Sequence, residues 1–229
     1  MIQILPSEER GRGQLDWLDS RFSFSFADYH DPKHINFRSL RVINEDKIAP
    51  SGGFGMHPHR DMEIITYVLD GAIEHRDSMG NRGVIRPGEI QKMTAGTGIL
   101  HSEFNPSKEK PTHLLQIWIL PEKQGLKPEY EEHKFTPGEL NGKFQPIAGK
   151  EAPVSIRQDV ELLAAKFAQG EKDSHKLAKG RHAWIQVARG AGKLNGQPIK
   201  AGDGAAISDQ PEVVYEATEP SEVLLFDLG

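Results

Sequence analysis

The stretch His57-Pro58-His59-Arg60-Asp61-Met62-Glu63-Ile64-Ile65-Thr66-Tyr67-Val68-Leu69-Asp70-Gly71 holds two patterns from which the rest of the chain can be read. Residues 64–69 are apolar, β-branched or aromatic, and they stop at Asp-Gly, a strong local signal for a hairpin. Ahead of them stands a His-x-His pair, and in a strand residues i and i+2 project from the same face.

Working outward, the same punctuation recurs. Phe22-Ser23-Phe24-Ser25-Phe26 places three phenylalanines on one face of a predicted strand. Residues 78–81 and 86–89 read as turns, and residues 113–120 read as a buried strand closed by Pro121. Short strands with turns every 8–12 residues indicate an all-β sandwich or barrel. The second half echoes the first. Residues 183–190 resemble 64–71, residues 199–203 resemble 85–89, and residues 223–228 resemble 114–120, which suggests two related β-domains. Between them, residues 121–153 are rich in Pro, Gly, Glu and Lys and read as a surface connection. Residues 154–168 fit either a strand or a helix, and the β-rich context favours a strand.

Composition narrows the chemistry. The chain has 229 residues, enough for one large domain or two smaller ones, and no cysteine, which excludes disulfides, iron–sulfur clusters, thiolate zinc sites and a cysteine nucleophile. A transition metal must therefore be held by nitrogen and oxygen. A net charge of −5 argues against a nucleic-acid-binding body. The first residues lack the basic and apolar regions of a targeting segment, and the longest apolar runs fall well short of the ~20 residues of a membrane helix. A cytoplasmic location with no membrane partner is expected.

Ten histidines are present, and two pairs stand out: His57-Pro-His59 and His101-Ser-Glu103. Each pair can aim two ligands inward from one strand, and a barrel can bring the strands side by side. Three imidazoles and one carboxylate suit a divalent Fe, Co, Ni, Cu, Mn or Zn ion and leave a position open for substrate or water. Asp61 and Glu63 share the parity of His57 and His59, so spacing alone leaves Glu63 and Glu103 as competing carboxylates. His30, His34, His75, His113, His133, His175 and His182 lack such pairing and are read as hydrogen-bonded or solvated imidazoles.

These residues carry a family resemblance. The segments 55–69, 74–81, 95–105 and 22–29, among them Glu74-His75-Arg76-Asp77-Ser78 and Gly98-Ile99-Leu100-His101-Ser102-Glu103, resemble the pirin family. The likeness spans the chain, is strongest over residues 20–120, and is most similar to bacterial pirin-like quercetin 2,3-dioxygenases. It implies a bicupin, two cupin-type β-barrels or jelly rolls packed face to face, with a metal-binding domain over 1–125. Residues 126–229 would then be a linker and a degenerate cupin without metal.

The resemblance further implies one divalent metal, iron favoured, held by His57, His59, His101 and Glu103, with no organic cofactor. Glu63 would instead pair with a neighbour or orient a ligating imidazole. Two features depart from the general cupin pattern: seven residues separate Glu63 from Gly71 where six are usual, and Gly96 stands where proline is usual.

The activity implied is ring cleavage of a flavonol by dioxygen with release of carbon monoxide, Glu103 serving in turn as ligand and as the base that takes the 3-hydroxyl proton. The alternative implied is a metal-dependent regulatory or redox-sensing protein that acts through a protein partner and has incidental flavonol activity.

Overall fold

The computed structural model describes residues 1–229, and nearly all of its regular structure is strand. In chain order the strands are β1 (Ile2–Leu5), β2 (Gly11–Leu15), β3 (Leu18–Phe22), β4 (Leu40–Ile48), β5 (Gly53–His59), β6 (Glu63–Asp70), β7 (Ile73–Asp77), β8 (Arg82–Ile85), β9 (Glu89–Thr94), β10 (Ile99–Phe104) and β11 (Thr112–Ile119). They continue as β12 (Glu129–Lys134), β13 (Gln145–Ala148), β14 (Val160–Phe167), β15 (Lys172–Lys176), β16 (His182–Arg189), β17 (Ala191–Leu194), β18 (Gln197–Lys200), β19 (Gly204–Ile207), β20 (Glu212–Ala217) and β21 (Ser221–Leu228). No helix is long and apolar enough to cross a membrane.

The chain forms two compact units, and the echoes in the sequence become a repeat of topology. Gly11–Lys134 make one unit, with a seven-stranded sheet ordered β12-β9-β6-β11-β4-β3-β2 and a four-stranded sheet ordered β5-β10-β7-β8. Met1–Arg10 and Phe135–Gly229 make the other, with sheets ordered β1-β19-β16-β21-β14-β13 and β15-β20-β17-β18. Thus β6, β9 and β11 correspond to β16, β19 and β21, and β5 and β10, which carry His57, His59 and His101, correspond to β15 and β20. All strand pairs are antiparallel, as short connections require. Each unit is a cupin domain, as the two-domain all-β expectation held.

Three readings shift. The first ten residues leave the N-terminal unit because Ile2–Leu5 pair with Gly204–Ile207, and β12 stays with it because Glu129–Lys134 pair with Glu89–Thr94. Residues 121–153 are more than a surface connection. They supply β12 and β13 and bury Phe135, Leu140, Phe144 and Ile147. The charged sequence of β12 belongs to an edge strand, where charge opposes pairing with another chain. Finally, the regular strand ends at Phe22. The chain then bends, with Phe26 and Tyr29 exchanging backbone hydrogen bonds and Ala27 at φ 49°. Phe22 and Phe24 are buried nonetheless.

Parity places the core. In the C-terminal unit the inward positions are apolar throughout: Leu163, Ala165 and Phe167 on β14, Ile185 and Val187 on β16, Val213, Tyr215 and Ala217 on β20. In the N-terminal unit one apolar cluster gathers around Ile48, Val68, Ile73, Ile85 and Leu114, and another around Ile64, Met93, Ala95 and Ile99. The strands that contribute to them carry buried polar residues at alternating positions: Asp46 on β4, Thr66 on β6, His75 on β7, Gln91 on β9, Gln116 on β11.

The loop 95–98 before β10 explains the missing proline. Gly96 has φ +48°, which proline cannot adopt, and a Cβ there would lie 2.0 Å from the Leu126 carbonyl oxygen. Its own carbonyl accepts the Asp61 N–H at 2.9 Å, and the Thr97 N–H reaches Leu126 O at 2.8 Å, so the loop ties together the ends that lead into and out of the ligand-bearing strands. Gly96→Ala is expected to cost about 2–4 kcal/mol, from left-handed strain plus a backbone clash. Gly55→Ala, which meets nothing within 4 Å, should stay within about 0.5 kcal/mol. Urea unfolding of both variants checks this, and equal stabilities would contradict it.

Candidate metal centre

Strands β5 and β10 pair with His57 opposite His101 and Ile99 opposite His59, and the register shifts between His101 and Glu103 because β5 carries an extra residue. The alternation of both strands turns the three imidazoles to one side. Their ligand nitrogens lie within 4.8 Å of one another, and the ring centroids are 4.4 Å (His57–His101), 4.8 Å (His57–His59) and 4.8 Å (His59–His101) apart. His57 donates Nδ1–H to the Gly55 carbonyl at 2.7 Å, which leaves Nε2 as its free lone pair.

Burial, reinforced by the neighbouring His57, pushes His59 down to about 4, and burial with the surrounding imidazoles pushes His101 down to about 2. Both rings are therefore neutral near pH 7, as metal ligation requires. His101 Nε2 is buried and has no hydrogen-bond partner in the chain. A buried, unpartnered lone pair beside two further imidazoles is a donor set that fits a divalent transition metal.

Glu103 lies next along β10, apart from the three-imidazole group. With His101 it forms a different set, completed by His75. The Thr66 hydroxyl lies 3.2 Å from one carboxylate oxygen, and Gln116 Nε2 donates to the other at 3.4 Å. Burial pushes the Glu103 carboxyl up to about 7, against the stabilising Thr66 hydrogen bond and with help from Asp46.

The competing carboxylates are accounted for. Asp61 sits in a turn at φ +48°, and its Oδ1 accepts the Gly125 N–H at 2.7 Å. Glu63 opens β6, fully buried, with its carboxylate 3.8 Å from Nζ of the equally buried Lys92. Lys92 also meets Glu131 at 2.9 Å and Thr94 Oγ1 at 2.9 Å. A straight strand through 57–63 would have aimed all four side chains alike, but the turn between β5 and β6 separates them.

A cavity of about 520 Å³ opens beside the imidazoles. His57, His59, Glu103 and Gln116 line its polar part, and Phe22, Phe26, Phe54 and Trp118 line its apolar part. Trp118 stands edge-on to both His59 (4.9 Å between centroids) and Phe26 (5.3 Å).

The sequence missed Thr66, Gln116, Trp118 and His75 as parts of this site. The first three sit at alternate inward positions of β6 and β11, a period visible only once the facing strands are known. Of the other unpaired histidines, His34 meets Asp31, His113 meets Glu45, His175 meets Asp227 and His182 meets Ser208.

The C-terminal unit gathers Glu161, His175 and Asp227. There, however, Asp227 already accepts from His175 at 2.7 Å and from Arg181, whose guanidinium also reaches Asp159 at 2.9 Å. That network thus already contains a fixed cation, the Arg181 guanidinium.

Comparison with known proteins places this geometry. The family model described as Pirin matches residues 6–119, and that of the quercetinase C-terminal cupin domain matches residues 146–228. Quercetin 2,3-dioxygenase of Escherichia coli (strain K12) is 46% identical over 230 residues, covering 100% of this chain and 99% of that protein. A pirin-like protein of Caulobacter vibrioides is 41% identical over 231 residues, covering 99% of each. The solved structure of the bacterial pirin YhhW from Escherichia coli in complex with nickel(II) superposes with a TM-score of 0.94 at 45% identity, covering 100% of this chain and 99% of that one.

The buried Glu63–Lys92 pair yields two predictions. Lys92→Met removes the buried cation 3.8 Å from the Glu63 carboxylate and is expected to cost about 3–5 kcal/mol of folding stability. Glu63→Gln should leave the metal-to-protein ratio unchanged by elemental analysis. Loss of metal from folded Glu63→Gln would make Glu63 a ligand and contradict the assignment.

Proposed function

The chain belongs to the pirin family, and from that premise we propose that it is a divalent-metal-dependent dioxygenase that opens the ring of quercetin-like flavonols with dioxygen and releases carbon monoxide. The observation that carries this reading is the buried, unpartnered His101 Nε2, grouped with His57 and His59, which themselves line an aromatic-walled cavity. His57, His59 and His101 would hold the metal, iron being the ion favoured here, with Glu103 beside His101 offering a carboxylate as fourth ligand. When bound, the ion supplies a cationic centre that stabilises the enolate left by deprotonation of the flavonol 3-hydroxyl.

The chain's own residues do the rest. Flavonols are flat and largely aromatic, and Phe22, Phe26, Phe54 and Trp118 offer edges and faces that bind such rings and keep water away. Glu103 accepts the 3-hydroxyl proton at a carboxylate oxygen. Burial raises its affinity for a proton, which favours its taking one from the substrate. Thr66 and Gln116 hold the carboxylate in place through both oxygens. The 46% identity to a protein named quercetin 2,3-dioxygenase supports the substrate class, and the nickel(II) complex of YhhW supports the metal requirement.

The test is loss of the visible absorption of quercetin in air by protein of known metal content, with carbon monoxide measured in the headspace. His57→Ala and His101→Ala should lose both metal and turnover. Glu103→Gln, at saturating metal, should lose about 10²–10⁴-fold in turnover. Metal-loaded wild type that leaves flavonols intact would overturn the activity, and full turnover by Glu103→Gln would overturn the base.

A further inference from the structure

His75-Arg76-Asp77 lies on β7, beside the strand that carries His101 and Glu103. His75 and Asp77 alternate on β7, and β7 pairs with β10 so that His101 is opposite Asp77 and Glu103 is opposite His75. The side chains of His75 and Asp77 are 1% and 0% exposed, so both need partners.

Asp77 is loaded as an acceptor. Its Oδ1 takes the backbone N–H of Met79 at 2.9 Å and of Asn81 at 3.0 Å. Its Oδ2 takes Asn81 Nδ2–H at 2.9 Å and faces His75 Nε2 at 3.3 Å. A carboxylate held by three other donors can only accept from His75, so the His75 proton is on Nε2 and its Nδ1 is a lone pair. That Nδ1 lies 3.5 Å from Nδ1 of His101. Two lone pairs would repel there, so His101 carries its proton on Nδ1 and its Nε2 is bare, the same atom that is buried without a partner. Tyr130 lies against the other side of His75, with centroids 5.0 Å apart and planes at 31°, which keeps the ring from turning.

We propose that Asp77 and His75 are positioning residues, a relay that fixes His101 as its Nδ1–H tautomer and so presents Nε2 as the ligand atom. The relay parallels the general rule that a ligating imidazole donates its other N–H to an acceptor behind it, with a second histidine inserted between carboxylate and ligand. The inference rests on the metal-site reading above and requires no substrate.

The deciding measurement is a long-range 1H–15N correlation spectrum of metal-free, 15N-histidine-labelled protein, which separates the two neutral tautomers. The expected result is His101 protonated on Nδ1 and His75 on Nε2. In Asp77→Asn, Oδ1 stays with the two backbone N–H groups, so the amide Nδ2–H points at His75 Nε2. The His75 proton should then move to Nδ1 and drive the His101 proton off its Nδ1.

Cobalt(II) affinity, read from the absorption of the bound ion, should fall about 10–100-fold in Asp77→Asn and in His75→Phe. His75→Gln, whose amide oxygen can accept from His101, should recover most of it. His101 protonated on Nε2 in the wild type would overturn the relay, whatever the variants do. So would Asp77→Asn with both tautomers and cobalt affinity unchanged. Because both readouts are taken without flavonol, failure of the proposed activity would leave the relay standing, and failure of the relay would leave wild-type turnover as it is.

Discussion

His57 faces His101 across two antiparallel strands, and Ile99 faces His59. This register is the constraint on which the site depends. Slippage by one residue would send the β10 ligand to the opposite face of its sheet, because the side-chain period of a strand is two. The register is held at one end by the 95–98 loop, where the Asp61 N–H donates to the Gly96 carbonyl, and at the other by Asn105. The Asn105 side chain donates to the carbonyls of Ala49 and Lys110, and its N–H reaches Gly52 O. The extra residue in β5 lets Glu103 lie opposite Phe54 while His101 keeps its place opposite His57. The three imidazoles and the carboxylate thus sit on one strand pair but occupy different surroundings.

The two units show what the same topology does with different inward residues. In the C-terminal unit β20 turns Val213, Tyr215 and Ala217 inward, and they join an apolar cluster. In the N-terminal unit the corresponding strand turns Ile99, His101 and Glu103 inward, so polar side chains share that interior with the apolar ones. Burying polar side chains is unfavourable unless their hydrogen bonds are remade inside. Many are remade in chains here: Thr66 and Gln116 reach Glu103, and His75 meets Asp77 and lies beside His101. His101 Nε2 is left without a partner in the chain. The site is thus built from polar residues at alternate positions of several strands, and the C-terminal unit has the strands without those residues.

Much of this was legible in the sequence. Strand and turn chemistry located β6, β11 and β16, and the faint echo of one half in the other proved to be a repeat of sheet order. The His-x-His and His-x-Glu spacings singled out the three converging imidazoles, because a period of two is a local property. What escaped was non-local. Asp61 and Glu63 could not be separated from the ligand face without knowing that the chain turns between His59 and Glu63. His75 looked isolated because its partner His101 is brought beside it only by the pairing of β7 with β10. The N-terminal strand joins β19, a pairing between the two extremes of the chain that no local pattern announces. Residues 129–134 looked like a linker because an edge strand and a solvated connection both favour Glu and Lys.

The central claim is that one metal ion is held in the N-terminal unit by three imidazoles, with the C-terminal unit metal-free. Anomalous diffraction from crystals of the metal-loaded protein, recorded on both sides of the absorption edge of the bound element, tests it most directly. The account predicts one anomalous peak per chain, bounded by His57, His59 and His101, and none among Glu161, His175 and Asp227. Metal-loaded crystals whose peak lies at that C-terminal cluster, or away from the three imidazoles, would contradict it.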